Sequence, residues 1–442
     1  MRSLDIGTFA LITLIGGFAA CVLLMPGLLT PALGLLLGIL VLGLAYAAPV
    51  AATFLWLLVV ETTPEMWLSD LIGDHELIIA ALKIAGLALV VVTMLRHGAR
   101  WDRFNPGFAF AAMFVAGFVH GLWPGLGAVA SARSLIGSAA PFASGFAEVP
   151  DRWRRAVVRA VIAGPGFAVL FGLVLAAAGI RGMYYTELGA VRLSASSSPA
   201  FLAGFALTGV YAGVVEFLRA GRRTEFGWIA LNLLILVATG ARAPLFFAVM
   251  ILTGMLGFIR SPFLPPQRRA MLLALGGIGL AVVLIASSML HFIRVIDLLH
   301  LGDAEDLSNR NLVWPFFEQA IAASPWLGWG VGAGKVIVPL HSSLGMLLGT
   351  NAAHEEYLRI GAEGGLLGLG LLLLMMGLWV VRGSAALPSA QRRAIRLVFI
   401  AFALHSATDN TLIATTSLAF FTWARAVLGE TPDGKPKVVN TR

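Results

Sequence analysis

Long continuous apolar runs, separated by short polar segments, form the main pattern of this chain. A helix needs about 20 apolar residues to cross a bilayer, and most of the runs approach that length. Because the runs are continuous and do not alternate, they exclude the strands of a transmembrane barrel. We therefore predict an all-α, polytopic transmembrane helical bundle of about 12 to 14 spans. It is expected to form a single integral membrane domain over residues 1–442.

The predicted spans follow the apolar runs along the whole chain. They cover residues 6–25, 28–47, 49–60, 77–95, 104–122, 125–148, 156–180, 199–218, 224–240, 243–259, 270–290, 362–381, 394–409 and 411–428. The lower count of about 12 spans results if two of the short runs merge.

The composition supports a membrane protein. The sequence is 59% hydrophobic and only 12% charged, whereas soluble domains are about 25% charged. The net charge of +8 is spread over short loops, so no loop forms the large basic patch that nucleic acid would need. The positive-inside rule predicts that these loops and both chain termini are cytoplasmic. Their basic residues are Arg96, Arg100, Arg103, Arg152, Arg154, Arg155, Arg159, Arg219, Arg222, Arg223, Arg260, Arg268, Arg269, Arg382, Arg392, Arg393 and Arg396.

The single cysteine, Cys21, lies in the first apolar run and can form no intrachain disulfide. FAAC at 18–21 is weakly similar to a lipoprotein cleavage site, but apolar VLLM follows where a mature lipoprotein would be polar. We interpret Cys21 as a buried thiol in a first span that is retained.

Three polar interruptions are predicted to lie on the outer side of the membrane. Two are short, at about 61–76 and 181–198, and the third, at 291–361, is predicted to be a large periplasmic loop. This loop contains an amphipathic piece that suits a helix lying at the membrane interface. Its tryptophans are Trp314, Trp326 and Trp329.

Two arginines precede predicted helices on this outer side. Arg242, in ATGARAP, comes before Pro244, a residue type suited to the first turn of a helix. Arg192, in VRLSASSSP, comes before Ser198, which suits an N-cap. A guanidinium beside a helix N-terminus makes an anion site. The alternative interpretations are an interfacial arginine at 242 and a solvated loop arginine at 192.

Lys83 and Arg310 are candidates to add positive charge to the same site. Lys83 lies within an apolar run and needs an anion or a route to the interface, and Arg310 precedes the amphipathic piece. Interfacial anchoring explains both residues equally well.

The stretch TNAAHEEYLRIGAEGG brings ionisable groups to the mouth of an apolar run. Such groups are costly in a membrane and are often functional. Histidine titrates near neutral pH, so His354 suits a general base. Glu363 is predicted near the start of the span 362–381, where a carboxylate complements the helix dipole. Glu355 and Glu356 are predicted to be solvated.

No metal and no cofactor are predicted. The zinc pattern H-E-x-x-H would need a second histidine where this chain has Leu358, and no cysteine is nearby. GWGVGAG at 328–334 lacks both the preceding strand and the Lys-Ser/Thr ending of a phosphate loop.

Three of these stretches together resemble the O-antigen ligase and O-antigen/exopolysaccharide polymerase superfamily of bacterial inner membranes. AHEEYLRIGAEGGLLG is similar to its histidine motif, and ATGARAP to its Thr-Gly-Ser-Arg turn. NRNLVWPFFEQAIAASPWLGWGVG is similar to its Arg-x-x-x-Trp segment with the following Pro-x-x-Gly-x-Gly, and VRLSASSSPAFLAG is a looser match to a preceding Arg…Pro segment. Glu355 stands where the family has Asn, and Ala241 where it has Ser.

The resemblance implies a metal-independent glycosyltransferase of the bacterial inner membrane, with its active site facing the periplasm. Such proteins take a glycan from undecaprenyl pyrophosphate and transfer it to lipid A–core or to another lipid-linked glycan. The resemblance implies that His354 is the base or positions the acceptor, and that Glu363 orients or caps. The residues expected to bind the pyrophosphate are Arg192, Arg242, Arg310 and Lys83.

A secondary transporter, or a flippase of lipid-linked glycans without transfer chemistry, is the alternative function. Such a protein is expected to carry charges near the bilayer midplane and to consist of repeated halves. Here the charges gather towards one face and the halves are unlike. A purely structural scaffold would give no reason for arginines at helix N-termini.

Overall fold

A computed structural model describes residues 42–43, 45–69, 75–187, 190–290, 312–338 and 352–429. The predicted span 6–25, most of 28–47, Cys21 and Arg310 lie outside the described residues. The predicted loop 291–361 is described only at 312–338 and 352–361.

The described residues are almost entirely helical, which confirms the predicted all-α class. The α-helices are α1 (Pro49–Glu61), α2 (Pro64–Trp67), α3 (His75–His97), α4 (Gly107–His120), α5 (Ala128–Ala139), α6 (Asp151–Ala177), α7 (Pro199–Ala220), α8 (Thr224–Thr239), α9 (Arg242–Phe258), α10 (Pro266–Leu290), α11 (Trp314–Ala323), α12 (Glu356–Gly383), α13 (Ser389–Ser406) and α14 (Thr416–Leu428). Short 3-10 segments occupy Ala140–Phe146 and Ala333–Lys335. One antiparallel hairpin, β1 (Tyr184–Glu187) and β2 (Ala190–Leu193), pairs Tyr185 with Arg192.

Four of the described helices are long and apolar enough to cross a membrane: α3 from Ile78 onward, α6, α7 and α12. Helices α1, α4, α8 and α9 are apolar but shorter. These lengths follow the sequence pattern, because a continuous apolar run in lipid is stable as a helix whose backbone groups bond to one another. The chain is therefore a polytopic helical membrane protein.

The predicted span at 125–148 is replaced by α5 and the 3-10 segment that follows it. A helix of 12 residues rises only about 18 Å, less than the ~30 Å hydrocarbon layer. Helix α5 turns its serines towards the protein: the buried Ser131 Oγ donates to the carbonyl of Val331 at 2.7 Å. Val129 and Ile136 of the same helix are exposed. Helix α5 thus supports the segment around Val331.

Helix α7 is the centre of the bundle. Of the most apolar stretch of this helix, 89% of the residues are buried. The helix packs against α6, α8, α9, α13 and α14. Ser198 caps its start by accepting from the N–H of Phe201 at 3.3 Å, and Pro199 occupies the first turn, as predicted.

Helix α12 begins earlier than predicted, at Glu356 instead of 362. Glu355 is its N-cap, and the carboxylate accepts from the backbone N–H groups of Tyr357 and Leu358. An acidic cap satisfies N–H groups that no helical carbonyl can reach and complements the positive end of the dipole. Glu363, predicted near the start of this span, does not form this cap: it lies two residues before a break at Gly365, and its carboxylate accepts from Arg359.

A break inside α12 joins it to the segment at 325–330. Gly365 adopts φ 59° and ψ −167°, which interrupts the helical hydrogen bonds. The N–H groups of Leu366 and Leu367 instead donate to the carbonyls of Pro325 and Trp326, at 2.8 and 3.2 Å. In the other direction, the N–H of Trp329 donates to the Ala362 carbonyl at 2.9 Å, and that of Gly330 to the Glu363 carbonyl at 2.9 Å. The 325–330 segment thereby supplies the partners that the break removes from the helix.

We predict that Gly365→Ala lowers the stability of the protein. A methyl group at this position would overlap the backbone of Trp326 and Leu327, at a φ that favours glycine. We expect a loss of at least about 2 kcal/mol, seen as a lower apparent melting temperature of the purified protein in detergent.

The matched control is Gly370→Ala in the same helix, where an added methyl group meets nothing within 4 Å. Equal melting temperatures for the two variants would contradict the role given to the break.

Candidate functional site

His354 lies just before α12 in a left-handed backbone conformation, with φ 51°. Histidine is among the residues that tolerate this conformation better than most. The preceding residue is held by α11, because Trp314 Nε1 donates to the Ala353 carbonyl at 3.0 Å. The imidazole is half-buried. Its Nδ1 lies 3.4 Å from Asn410 Nδ2 and 4.0 Å from Asp409 Oδ1.

Asp409 stands between two histidines. Its second oxygen, Oδ2, lies 3.9 Å from Nε2 of His405, a buried residue in the last turn of α13. The ring of His405 in turn packs at 5.1 Å from the ring of Phe247 in α9. A carboxylate in this position can fix the orientation of His354 and stabilise positive charge on either ring.

The 407–415 loop, which contains Asp409, is attached to two buried carboxylates. The backbone N–H of Leu412 donates to Glu356 Oε1 at 2.8 Å, and Thr415 Oγ1 donates to Glu65. These contacts join the start of α12 to the α1–α2 region through this loop. Sequence reasoning missed the loop because it assigned the flanking residues to two spans, although the polar run HSATDN between them was a usable signal.

A cavity of about 410 Å³ opens beside His354. Its walls include the start of α7, the end of α13 and the 407–415 loop, and its titratable lining is formed by Tyr211, His354, His405 and Asp409. The apolar lining is formed by Ile79, Phe201, Leu207, Phe402, Ile413 and Phe420. The imidazole therefore borders a space that suits an apolar chain next to a polar head.

A second space, of about 380 Å³, lies between α12 and α13. It starts at Glu356 and Tyr357 and continues along apolar residues to Arg396. Phe402 lines both this space and the cavity beside His354. Two spaces large enough for lipid chains thus meet at one aromatic side chain.

Arg192 and Arg242 lie at one turn. Arg192 Nε, on β2, donates to the Thr239 carbonyl at 2.8 Å, at the end of α8. Arg242 is the first residue of α9, directly after that turn. Helix α9 then leads to Phe247, which contacts His405. The turn and the histidine cluster are therefore at the same end of the bundle, and both guanidinium groups are half-buried.

Glu363 belongs to a buried ion network within α12. Arg359 Nη1 donates to Glu363 Oε2 at 2.9 Å, and Arg359 Nε donates to Glu356 Oε2 at 2.6 Å. All three side chains are buried. Because Glu356 also accepts from the 407–415 loop, this network fixes the start of α12 relative to that loop. The expectation that Glu355 and Glu356 are solvated is wrong: both are buried, Glu356 in this network and Glu355 as the N-cap of α12.

Burial also affects the carboxyl group of Glu355, which precedes the helix. Desolvation raises its pKa above the ordinary value, and the negative charge of Glu356 acts in the same direction. The two backbone N–H donors from Tyr357 and Leu358 oppose the rise. The N-cap next to His354 therefore binds a proton more readily than a solvated glutamate would.

Lys83 has a hydrogen-bond partner on α5 and lies near charged residues of the ion network. Its Nζ donates to the Gly137 carbonyl on α5 at 3.2 Å, and it lies within electrostatic range of Lys335, Arg359 and Glu65. Lys83 therefore lies beside the ion network of α12. Arg310 falls outside the described residues. Within the described residues, no group of three or more histidine, cysteine or carboxylate side chains is arranged to hold a metal ion.

The described helices and this cluster define an integral membrane protein with a polar site at one end of a helical bundle. The family model described as O-antigen ligase matches residues 227–373, about a third of the chain. This stretch contains Arg242, His354 and Glu363, whereas Arg192 and the 407–415 loop lie outside it. Residues 227–373 are thus similar to the O-antigen ligase family, which confirms the predicted resemblance to the ligase and polymerase superfamily. No curated protein matches the chain.

We predict that His354→Asn removes the imidazole without loss of fold, whereas His354→Val destabilises the protein. Asparagine tolerates the left-handed backbone, while a β-branched residue is strained there by roughly 1–3 kcal/mol. The measurement is the apparent melting temperature of both purified variants in detergent. A valine variant as stable as the asparagine variant would show that the backbone at 354 is not held in this conformation.

Proposed function

We propose that this protein is a metal-independent glycosyltransferase acting at the periplasmic face of the inner membrane. It moves a glycan from undecaprenyl pyrophosphate to lipid A–core, or to another lipid-linked glycan that is thereby lengthened. The observation that carries the proposal is the arrangement at one end of the bundle. Two arginines share one turn there, and helix α9 connects that turn to the histidine cluster.

Arg192 and Arg242 bind the pyrophosphate in this proposal. A guanidinium group can donate two parallel hydrogen bonds to a phosphate, and the positive end of the α9 dipole adds to its charge. The negative charge on pyrophosphate grows as the bond to the sugar breaks. Fixed positive groups at that position stabilise the transition state more than the ground state, and no metal ion is required.

His354 accepts the proton of the acceptor hydroxyl. The hydroxyl oxygen attacks the anomeric carbon of the glycan, a new glycosidic bond forms, and the bond between that carbon and the pyrophosphate oxygen breaks. The electron pair of the broken bond leaves with undecaprenyl pyrophosphate, and the proton passes to the imidazole. Asp409 acts as a positioning residue, because it lies 4.0 Å from the ring nitrogen Nδ1 and can stabilise the imidazolium.

The lipid parts of the substrates occupy the two apolar spaces. The cavity of about 410 Å³ adjoins His354 and the start of α7, and the space of about 380 Å³ between α12 and α13 starts beside the same end of α12. Two lipid-linked substrates meeting at one imidazole would need two such spaces. This arrangement supports a lipid-linked donor and a lipid-linked acceptor.

Glu363 and Lys83 support this site indirectly. Glu363 holds Arg359 and thereby the start of α12, and Lys83 contributes positive charge near Glu65 and Arg359. Arg310 retains its predicted role in pyrophosphate binding.

We expect Arg242→Gln and His354→Asn each to reduce glycan transfer by roughly 100-fold or more. The first variant removes a donor to the leaving group, and the second removes the base. The measurement is turnover by the purified full-length protein with an undecaprenyl-pyrophosphate-linked glycan and lipid A–core as substrates.

The matched control is Arg222→Gln, since Arg222 is exposed at the far end of α7. Undiminished turnover in both site variants, at normal expression, would overturn the assignment. The surface polysaccharide of a deletion strain separates the two reactions: unligated full-length chains indicate a ligase, and single repeat units indicate a polymerase. Unchanged glycan length and ligation would support transport without chemistry.

We expect Asp409→Asn to lower kcat at least about tenfold while the KM for the donor changes little. The amide has the shape of the carboxylate but lacks the charge that faces His354 and His405. The measurement is the full kinetic profile in the same assay. A raised KM with unchanged kcat would assign Asp409 to donor binding instead.

A further inference from the structure

A pocket of about 210 Å³ opens at the other end of the bundle. It lies between the connection from α3 to α4 and the C-terminal ends of α12 and α14. Helix α12 begins beside His354 and ends at this pocket, so the two sites are at opposite ends of one helix. Four arginines line it: Arg100, Arg103, Arg382 and Arg425.

Arg425 is a buried cation without a matching anion. Only 3% of the residue is exposed, and its Nη2 donates to the Ala147 carbonyl at 2.9 Å. Its Nε has no hydrogen-bond partner, and no carboxylate among the described residues lies within ion-pair distance of it. A buried charge with so few partners is costly. A phosphate oxygen that entered the pocket would supply both a hydrogen-bond acceptor and a negative charge for Arg425.

The rim of the pocket combines charge with aromatic surface. The guanidinium carbons of Arg103 and Arg382 lie 5.0 and 4.7 Å from the ring centre of Phe104, which holds both at the pocket edge. Trp101, at the same rim, is 77% exposed. An exposed tryptophan beside arginines is typical of a surface at the level of lipid headgroups.

The pocket keeps a net positive charge when the nearby carboxylates and helix C-termini are counted. Asp102 lines the pocket and accepts from Trp379 Nε1 at 2.8 Å, and Glu148 lies within electrostatic range of Arg425. The C-terminal ends of α12 and α14 each contribute about half a negative charge. The four guanidinium groups exceed these contributions, so the pocket attracts an anion.

We propose that this pocket binds the phosphate group of an anionic phospholipid. Free phosphate has the same chemistry. The aromatic rim and the position at the end of membrane-crossing helices favour a lipid, whose acyl chains continue along the apolar surface of the bundle. Basic pockets between helices bind anionic headgroups in this manner.

The test uses the purified, delipidated full-length protein titrated with phosphatidylglycerol or phosphatidylcholine, with bound lipid counted by native mass spectrometry. We expect the wild type to prefer phosphatidylglycerol. The double variant R103Q/R382Q changes two exposed side chains and is expected to lose roughly fivefold in affinity per arginine. R425K keeps the positive charge but lacks the planar guanidinium group with its paired N–H donors, and it is expected to weaken binding as well.

The matched control is R222Q, because Arg222 is exposed and does not line the pocket. Melting temperatures verify that each variant is folded. Equal phosphatidylglycerol affinity in the wild type and R103Q/R382Q would overturn the proposal. So would displacement of the lipid by inorganic phosphate at equal concentration, which would identify a site for the free ion.

Discussion

The need to satisfy backbone hydrogen bonds at the break in α12 shapes this end of the molecule. A helix interrupted within a membrane leaves polar groups without partners, and each such group is costly in lipid. Here the 325–330 segment supplies both carbonyls and N–H groups to α12 around Gly365. The same exchange fixes the 325–330 segment against the bundle.

A second set of contacts depends on that attachment. Helix α11 leads into the 325–330 segment and also binds Ala353, the neighbour of His354, through Trp314. On the other side, the 407–415 loop is held by Glu356 and Glu65. Buried carboxylates that accept from a loop restrict its position more strongly than apolar packing does, because hydrogen bonds are directional. The position of Asp409 relative to His354 therefore depends on residues from distant parts of the chain.

Features that depend on local chemistry could be predicted from the sequence. The apolar lengths predicted α3, α7 and α8 closely, and Ser198 with Pro199 marked the start of α7. The break at Gly365 was not predictable, since its partners lie about 40 residues earlier and an apolar run gives no sign of them. The early start of α12 was missed because Glu355 and Glu356 look solvated until the 407–415 loop covers them. Asp409 was missed for the same reason, as its proximity to His354 arises only from tertiary packing.

The position of Phe402 has a consequence for how two lipid-linked substrates would be kept apart. Its ring forms part of the wall of both apolar spaces, so this side chain lies between them. A related protein with a small residue at this position would have a single merged chamber, in which two lipid tails could mix. In the reaction proposed above, the large ring would keep the two lipid tails apart, so that only their polar heads meet at the imidazole.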